Sequence, residues 1–165
     1  MSRTSQFLCG VILLLGVLDD SSRILSRASV KADFDRNGRL DLAVADSKEA
    51  AVSIFLSAPD GRLAFKDRYS LHCAPQAILA SDLNGNGAPD LATANAPDGT
   101  VSVLLNRGDG TFQSPRIYQT NLLAPFRIAA NDANADGNVD LIVSDIRDNQ
   151  FVLLGNGDGT FQGAD

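Results

Sequence analysis

The amino-acid sequence predicts an all-β fold built from three copies of one repeat of about 50 residues. An acidic nonapeptide occurs three times, and a short β-prone segment follows each copy, at Asp41–Asp46, Asp90–Asn95 and Asp140–Asp145. Asp-Gly turns between apolar residues also recur, which is a strong signal for β-hairpins. No long stretch has the 3.6-residue periodicity of an amphipathic helix. The repeat is therefore a unit of strands and turns.

Each of the two full repeats contains four strand candidates, and the partial third contains the first two. The first follows the acidic loop directly. A polar break separates it from the second, at Val52–Leu56, Val101–Leu105 and Phe151–Leu154. An Asp-Gly turn and a phenylalanine come next, and we expect this phenylalanine to pack between neighbouring repeats. The third candidates are Phe65–Leu71 and Phe112–Tyr118, and the fourth, which run into the next acidic loop, are Ala74–Ala80 and Ala124–Ala130.

Four short strands in about 50 residues are typical of propeller blades. The sequence thus predicts a partial β-propeller of about three four-stranded blades, with units near 33–81, 82–131 and 132–165. Each acidic loop is expected to lie where one blade passes into the next. The last unit stops where its third strand is expected to begin.

The acidic loops have the composition of Ca²⁺ sites. Ca²⁺ takes six to eight oxygen ligands in a flexible shell, and each loop carries side-chain oxygens at positions 1, 3, 5 and 9, with glycine at position 6 for the sharp turn. Position 7 is expected to offer its backbone carbonyl. The candidate ligands are Asp33, Asp35, Asn37, Arg39 and Asp41 in the first loop; Asp82, Asn84, Asn86, Ala88 and Asp90 in the second; and Asp132, Asn134, Asp136, Asn138 and Asp140 in the third.

An EF-hand and an ordinary Asx-rich turn are two alternatives to a calcium-binding loop of a β protein. An EF-hand needs a glutamate at position 12 and helices on both sides, whereas position 12 here is Val44, Thr93 or Val143 within β-prone segments. Ordinary Asx-rich turns are common in β proteins, but three copies in register favour calcium. The second loop has two carboxylates and the others three, so we expect the second to bind most weakly.

Composition limits the function further. The 165-residue chain has a net charge of −6 at pH 7 and no basic stripe, which argues against nucleic-acid binding. Its two cysteines, Cys9 and Cys73, are too few for a disulfide framework or a zinc site. His72 is the only histidine, and we expect it to have a packing or surface role. No catalytic motif stands out, so we expect the protein not to be an enzyme.

The amino terminus has two interpretations. Phe7–Leu18 is a short uncharged apolar run after Arg3, and this favours a secretory signal peptide with its linker over residues 1–28, followed by repeats over residues 29–165. The run is too short to span a bilayer, so we expect contact with a membrane only through export. The alternative is a strand of a degenerate earlier repeat.

The acidic loop, the D-L-x-x-x-[DN] strand and the G-D-G-T-F turn together resemble FG-GAP/VCBS-type repeats of the bacterial kind, the family that includes the β-propeller of integrin α subunits. The resemblance covers about Ala32 to Phe161. It implies a Ca²⁺ ion held in a loop between strands of a blade, through the side chains at positions 1, 3, 5 and 9 and the position-7 carbonyl. Family propellers close with more than three blades.

These observations lead to an expected function. We expect a secreted or cell-envelope protein that binds calcium and serves as a non-catalytic adhesion or interaction module, with a protein or glycan partner. The alternative is a scaffold or fragment of a secreted enzyme or a lectin with the same repeats. Because unclosed blades expose sheet edges, we also expect further blades of a longer chain, or self-association, to complete the array.

Overall fold

The chain folds as three consecutive four-stranded antiparallel sheets. The computed structural model describes residues 28–96 and 98–163, and no helix able to cross a membrane occurs among them. The all-β prediction is confirmed, and the three sheets form the blades of a partial β-propeller. The strands are β1 (Ala28–Ala32), β2 (Asp41–Asp46), β3 (Ala51–Ser57) and β4 (Leu63–Ser70) in the first sheet; β5 (Pro75–Ser81), β6 (Asp90–Asn95), β7 (Thr100–Leu104) and β8 (Arg116–Gln119) in the second; and β9 (Pro125–Asn131), β10 (Asp140–Asp145), β11 (Gln150–Gly155) and β12 (Phe161–Gly163) in the third.

The strand that follows each acidic loop lies where the sequence predicts it. β2, β6 and β10 begin at the last aspartate of their loops, and each is the second strand of its sheet. They alternate in side-chain direction, as strands must. In β2, for example, Ala43 and Ala45 are buried while Leu42 and Val44 are half-buried. The first sheet therefore has one face covered by a neighbouring sheet and one face that is less covered.

The prediction that the acidic loops join neighbouring blades is wrong. β1 pairs with β2, β5 with β6 and β9 with β10, so each loop is a hairpin connection inside one sheet. The segment predicted as a fourth strand, Ala74–Ala80, instead becomes β5 and begins the next sheet. The units 33–81, 82–131 and 132–165 consequently cut each sheet after its first strand. Antiparallel pairing across the loop decides sheet membership, and sequence order alone does not reveal it.

The ends of the array also differ from the prediction. β1 was not predicted, and it places Ala28 inside the first sheet, although residues 1–28 were assigned to the signal peptide and linker. The third sheet is complete, because β12 pairs with β11 as its fourth strand. The residues of the predicted signal peptide, of the alternative degenerate strand at Phe7–Leu18 and of Cys9 lie outside the described residues.

Two apolar clusters join the three sheets. The cluster between the first and second sheets contains Phe34, Ile54 and Leu91, and the cluster between the second and third contains Val103 and Leu141. Because neighbouring side chains on a strand point to opposite faces, β6 contributes Leu91 to one cluster and Ala92 to the other. The middle sheet is therefore covered on both faces, and all six residues of β6 are buried.

The phenylalanine after each Asp-Gly-Thr turn packs against the preceding sheet, as predicted. Phe112 makes edge-to-face contacts with Phe34 and Tyr69, at ring-centroid distances of 5.6 and 5.7 Å. Phe161 contacts Tyr118 in the same way at 5.6 Å. Such contacts add to the stabilisation from burial of the rings. They tie the outer part of each sheet to its neighbour.

His72 and Cys73 lie between β4 and β5 and do not share one environment. His72 is exposed and has a φ of 66°, whereas Cys73 is buried. Burial raises the pKa of the Cys73 thiol, which favours the unreactive protonated form. His72 thus has the surface placement that was one of its two expected placements, and Cys73 lies among the buried residues.

Candidate metal centres

Each acidic loop is coiled by the same set of hydrogen bonds from its own backbone. In the first loop, the Asp33 carboxylate accepts the N–H of Asn37 at 2.9 Å and that of Gly38 at 2.7 Å. The Asp35 oxygen accepts the Asn37 N–H at 3.2 Å, and the Asn37 side-chain oxygen accepts the Arg39 N–H at 2.9 Å. The side chains at positions 1, 3 and 5 therefore bend back over the loop that carries them.

The other two loops repeat this pattern. Asp82 accepts from Asn86 at 3.1 Å and from Gly87 at 2.7 Å. Asp132 accepts from Asp136 at 3.1 Å and from Gly137 at 2.9 Å. At position 7, the Ala88 and Asn138 N–H groups each donate to the position-5 oxygen at 2.7 Å. Asn84 and Asn134 at position 3 each accept the position-5 N–H, at 3.1 and 3.0 Å.

Backbone conformation explains the glycine at position 6. Gly38, Gly87 and Gly137 have φ values of 82°, 79° and 89°, in the left-handed region that glycine adopts without a steric cost. Position 4 is left-handed as well, with φ values of 60° at Arg36 and 61° at Ala135. The first and third loops are thus strained at position 4, where the side-chain hydrogen bonds hold the coil in place, whereas the second loop has Gly85 there.

The aspartate at position 9 anchors each loop to its sheet. Asp41, Asp90 and Asp140 are fully buried. One oxygen of each accepts the N–H of loop position 2, at 2.8 to 2.9 Å, and the other accepts an N–H at the end of the third strand, at 2.7 to 2.8 Å. The donors are Phe34 and Ser57 in the first sheet, Leu83 and Asn106 in the second, and Ala133 and Gly155 in the third.

The first loop brings three carboxylates together. One oxygen each from Asp33, Asp35 and Asp41 lies within 4.8 Å of the others. Within residues 28–96 and 98–163, this is the one place where three acidic, histidine or cysteine side chains converge so closely. Carboxylate oxygens at this spacing fit Ca²⁺, which binds oxygens at about 2.3–2.6 Å. A carboxylate oxygen that accepts one N–H retains a second lone pair for a cation.

The third loop has the same number of carboxylates but not the same convergence. Asp132 and Asp136 are exposed, whereas Asp33 and Asp35 are half-buried. The Asn138 N–H and the Asn134 side-chain amide both donate to Asp136 and hold its pKa below the usual range. Asp136 is therefore charged at neutral pH, but its Oδ2 already accepts from Asn134 at 2.9 Å.

The second loop has two aspartates and two asparagines as side-chain candidates. Burial raises the pKa of Asp90 to about 6, and the nearby Asp82 carboxylate adds to this, while the Asn106 and Leu83 N–H groups oppose it. In mildly acid solution, Asp90 is therefore fully ionised only when a favourable partner stabilises its charged carboxylate. This loop has the fewest carboxylates of the three, and its weaker calcium binding stays a prediction.

The Asp-Gly-Thr turn of one sheet covers the acidic loop of the sheet before it, a feature that the sequence did not predict. The Phe34 carbonyl in the first loop accepts the Asn106 side-chain amide at 2.9 Å and the Gly110 N–H at 3.0 Å. A Cβ atom at Gly110 would lie 2.8 Å from a methyl carbon of Leu56. The repeated turn motif was visible in the sequence, but the loop that it contacts lies 72 residues away from Asn106.

Consecutive meander sheets with an acidic hairpin loop in each define a protein of the propeller-repeat class. The model of the FG-GAP-like repeat matches residues 33–93 and 82–143, and the chain belongs to this family. Among solved structures, the chain is similar to an Agrocybe aegerita lectin described for specific recognition of non-reducing terminal N-acetylglucosamine. That similarity has a TM-score of 0.53 and 23% identity, over 85% of this chain and 37% of the lectin chain.

The match to the lectin is a match of fold. This chain spans 37% of the length of that structure, so the two share a set of blades and not a whole molecule. No curated protein matches the chain. The family and the fold are thus assigned by the repeat model and the sheet architecture.

Proposed function

We propose that the chain is an exported, non-catalytic interaction module whose acidic loops bind Ca²⁺, and that each ion fastens the first two strands of its blade. The observation that carries this proposal is the convergence of Asp33, Asp35 and Asp41 in a loop whose hydrogen-bond pattern recurs twice more. A bound ion would offset the mutual repulsion of these carboxylates. The side chains at positions 1, 3, 5 and 9 and the position-7 carbonyl would hold it.

The role of the metal is structural in this proposal. The position-9 aspartates are fully buried and accept backbone N–H groups on both oxygens, which suits an anchor of the loop better than a proton-transfer group. A metal in these loops would lock β1 to β2, β5 to β6 and β9 to β10. The rigid array would then present its surface to an adhesion or interaction partner.

A lectin function is the second candidate, supported by the fold shared with the Agrocybe aegerita lectin. The chain has no tryptophan and two tyrosines, and aromatic rings are the usual stacking surface for sugars, so adhesion to protein is preferred. A glycan array screened with and without Ca²⁺ separates the two candidates. A specific sugar hit would place the lectin function first, whereas no hit is expected for a protein-binding adhesin.

A calcium titration by calorimetry tests the metal-binding proposal directly. We expect wild-type protein to bind Ca²⁺, and expect Asp33→Ala and Asp132→Ala to weaken total binding more than Asp82→Ala, because the second loop has fewer carboxylates. Asp60→Ala, in the exposed β3–β4 turn, is the matched control and should bind like wild type. A larger loss in Asp82→Ala would contradict the ranking, and no binding by wild type would contradict the proposal.

A further inference from the structure

One arginine side chain connects the first acidic loop with the second. Arg36, at position 4 of the first loop, donates from Nη2 to the backbone oxygen of Asn86 at 2.7 Å and to its Oδ1 at 3.4 Å. Asn86 is position 5 of the second loop and lies 50 residues further along the chain. The contact therefore crosses from the first sheet to the second.

Two backbone features allow Arg36 to reach the second loop. Its own φ of 60° belongs to the coiled conformation of the first loop. Its guanidinium lies over Gly108, where an added Cβ atom would be 3.4 Å from the Arg36 Cζ. Gly108 directly precedes the Asp-Gly-Thr turn of the second sheet, and its φ of 85° places the backbone in the left-handed region beneath the flat guanidinium. Arginine suits such a position because its donors are fixed in a plane.

Asn86 is central to the second loop. Its N–H donates to both Asp82 and Asn84, at 3.1 Å in each case, and its Oδ1 accepts the Ala88 N–H at 2.7 Å. Its side-chain amide donates to the Asn106 carbonyl at 3.5 Å, which directs Oδ1 toward the loop. A group that holds Asn86 in place therefore holds one candidate ligand, the Asn86 side chain. It also holds the Asn86 N–H, which binds two other candidate ligands, Asp82 and Asn84.

The link exists for one pair of loops in the described part of the chain. Position 4 is Gly85 in the second loop and Ala135 in the third, and neither side chain can reach a neighbouring loop. The first and second loops are connected through Arg36, while the second and third have no equivalent bridge from this position.

We propose that Arg36 couples calcium binding at the first loop to calcium binding at the second, so that an ion in either loop raises the affinity of the other. This inference rests on the proposed calcium-binding function. Without an ion, repulsion among Asp33, Asp35 and Asp41 loosens the first loop and releases Arg36. With an ion, the loop is closed, Arg36 is held over Gly108, and Asn86 is kept in its binding position. The coupling is reciprocal because both ions stabilise the same arrangement.

A thermodynamic cycle measured by calorimetry tests the coupling. Asp132→Ala leaves the first two loops intact, and adding Asp33→Ala or Asp82→Ala leaves a single loop. Asp132→Ala has two association constants for Ca²⁺, and each single-loop variant has one. We expect the product of the two constants in Asp132→Ala to exceed the product of the two single-loop association constants by about fivefold or more. In an Arg36→Met background, which keeps the apolar stem and removes the donors, this factor should fall to about one.

Two further variants separate this link from general effects of charge and folding. Lys48→Met removes one positive charge from the exposed β2–β3 turn and should leave the factor unchanged. Arg36→Lys keeps the charge and a donor and should retain part of the coupling. A factor that persists in Arg36→Met, or tighter binding in that variant through relief of charge repulsion, would overturn the coupling alone. Absence of calcium binding by wild type would overturn the proposed function and the coupling together.

Discussion

At the residue scale, the buried aspartate at position 9 combines two tasks. It closes the acidic loop and it satisfies two backbone donors that would otherwise be buried without a partner. Buried donors left without an acceptor cost about 1–3 kcal/mol each. This structural demand exists whether or not a metal is present. It explains why the sequence pattern ends on aspartate, whose two oxygens accept on both sides.

Asp140→Asn tests this anchor in the third loop, whose three carboxylates do not converge as those of the first loop do. The substituted amide retains one oxygen, so either the Ala133 or the Gly155 N–H loses its acceptor, and we expect a loss of roughly 1–3 kcal/mol in the free energy of unfolding. The measurement is urea denaturation in chelator, so that calcium does not contribute. Asp60→Asn, at an exposed turn, should change stability by less than about 0.5 kcal/mol. Equal effects of the two substitutions would contradict the anchor role.

Asp145 provides a test of pH dependence outside the acidic loops. The Asn149 side-chain amide and the Arg147 and Asn149 N–H groups donate to it and lower its pKa. Because the folded-state pKa is below the unfolded value, its stabilisation is complete above about pH 4 and is lost as the pH falls through the folded pKa. The difference in unfolding free energy between wild type and Asp145→Asn should shrink on acidification below about pH 4. A difference in unfolding free energy that does not change with pH would show that ionisation of Asp145 does not stabilise the fold.

At the element scale, the Asp-Gly-Thr-Phe turn joins one blade to the one before it. Its backbone and the Asn106 side chain donate to the preceding acidic loop, and its phenylalanine fills the cluster between the sheets. One short motif thus covers a candidate metal site and completes a core. The third loop has no such cover in the described residues, and its Asp132 and Asp136 are exposed.

Phe112→Ala tests the joint between the first and second sheets. Phe112 is 2% exposed and contacts the rings of Phe34 and Tyr69, so truncation should cost about 3–5 kcal/mol of unfolding free energy. The denaturant midpoint measures the loss. Phe65→Ala is the matched control, because Phe65 is 61% exposed and packs on Phe55 within its own sheet. A loss as small as that of the control would show that the turn does not join the two sheets.

At the scale of the whole molecule, local features were predictable and pairings between distant segments were not. β2 begins at Asp41 and ends at Asp46 as predicted, because the acidic loop and the polar break after it mark both ends. Ala74–Ala80 was assigned to the wrong sheet, because its partner strand is determined by pairing across the loop and not by its own residues. β1 was missed because a single strand before the first loop has no preceding repeat to reveal it.

In the candidate metal centres, too, the local features were predictable and the contacts between distant residues were not. The five positions in each loop were predicted from oxygen ligands and a glycine, and the loops coil as those residues suggest. The difference between the first and third loops was not predictable, because both contain three carboxylates. It arises from what lies over them. Asn106 and Gly110 from the next sheet bond to the first loop, and these contacts are remote in sequence. The Arg36–Asn86 contact was missed for the same reason.

The most direct test of calcium as the fastener of the blades is thermal unfolding of wild-type protein with millimolar Ca²⁺ and with chelator. An ion that binds only the folded state raises the midpoint, and at a hundredfold excess over Kd each site adds about 2.7 kcal/mol. We therefore predict a clearly higher midpoint in Ca²⁺, with a smaller increase in Asp33→Ala. A midpoint that is the same in Ca²⁺ and in chelator would contradict the account.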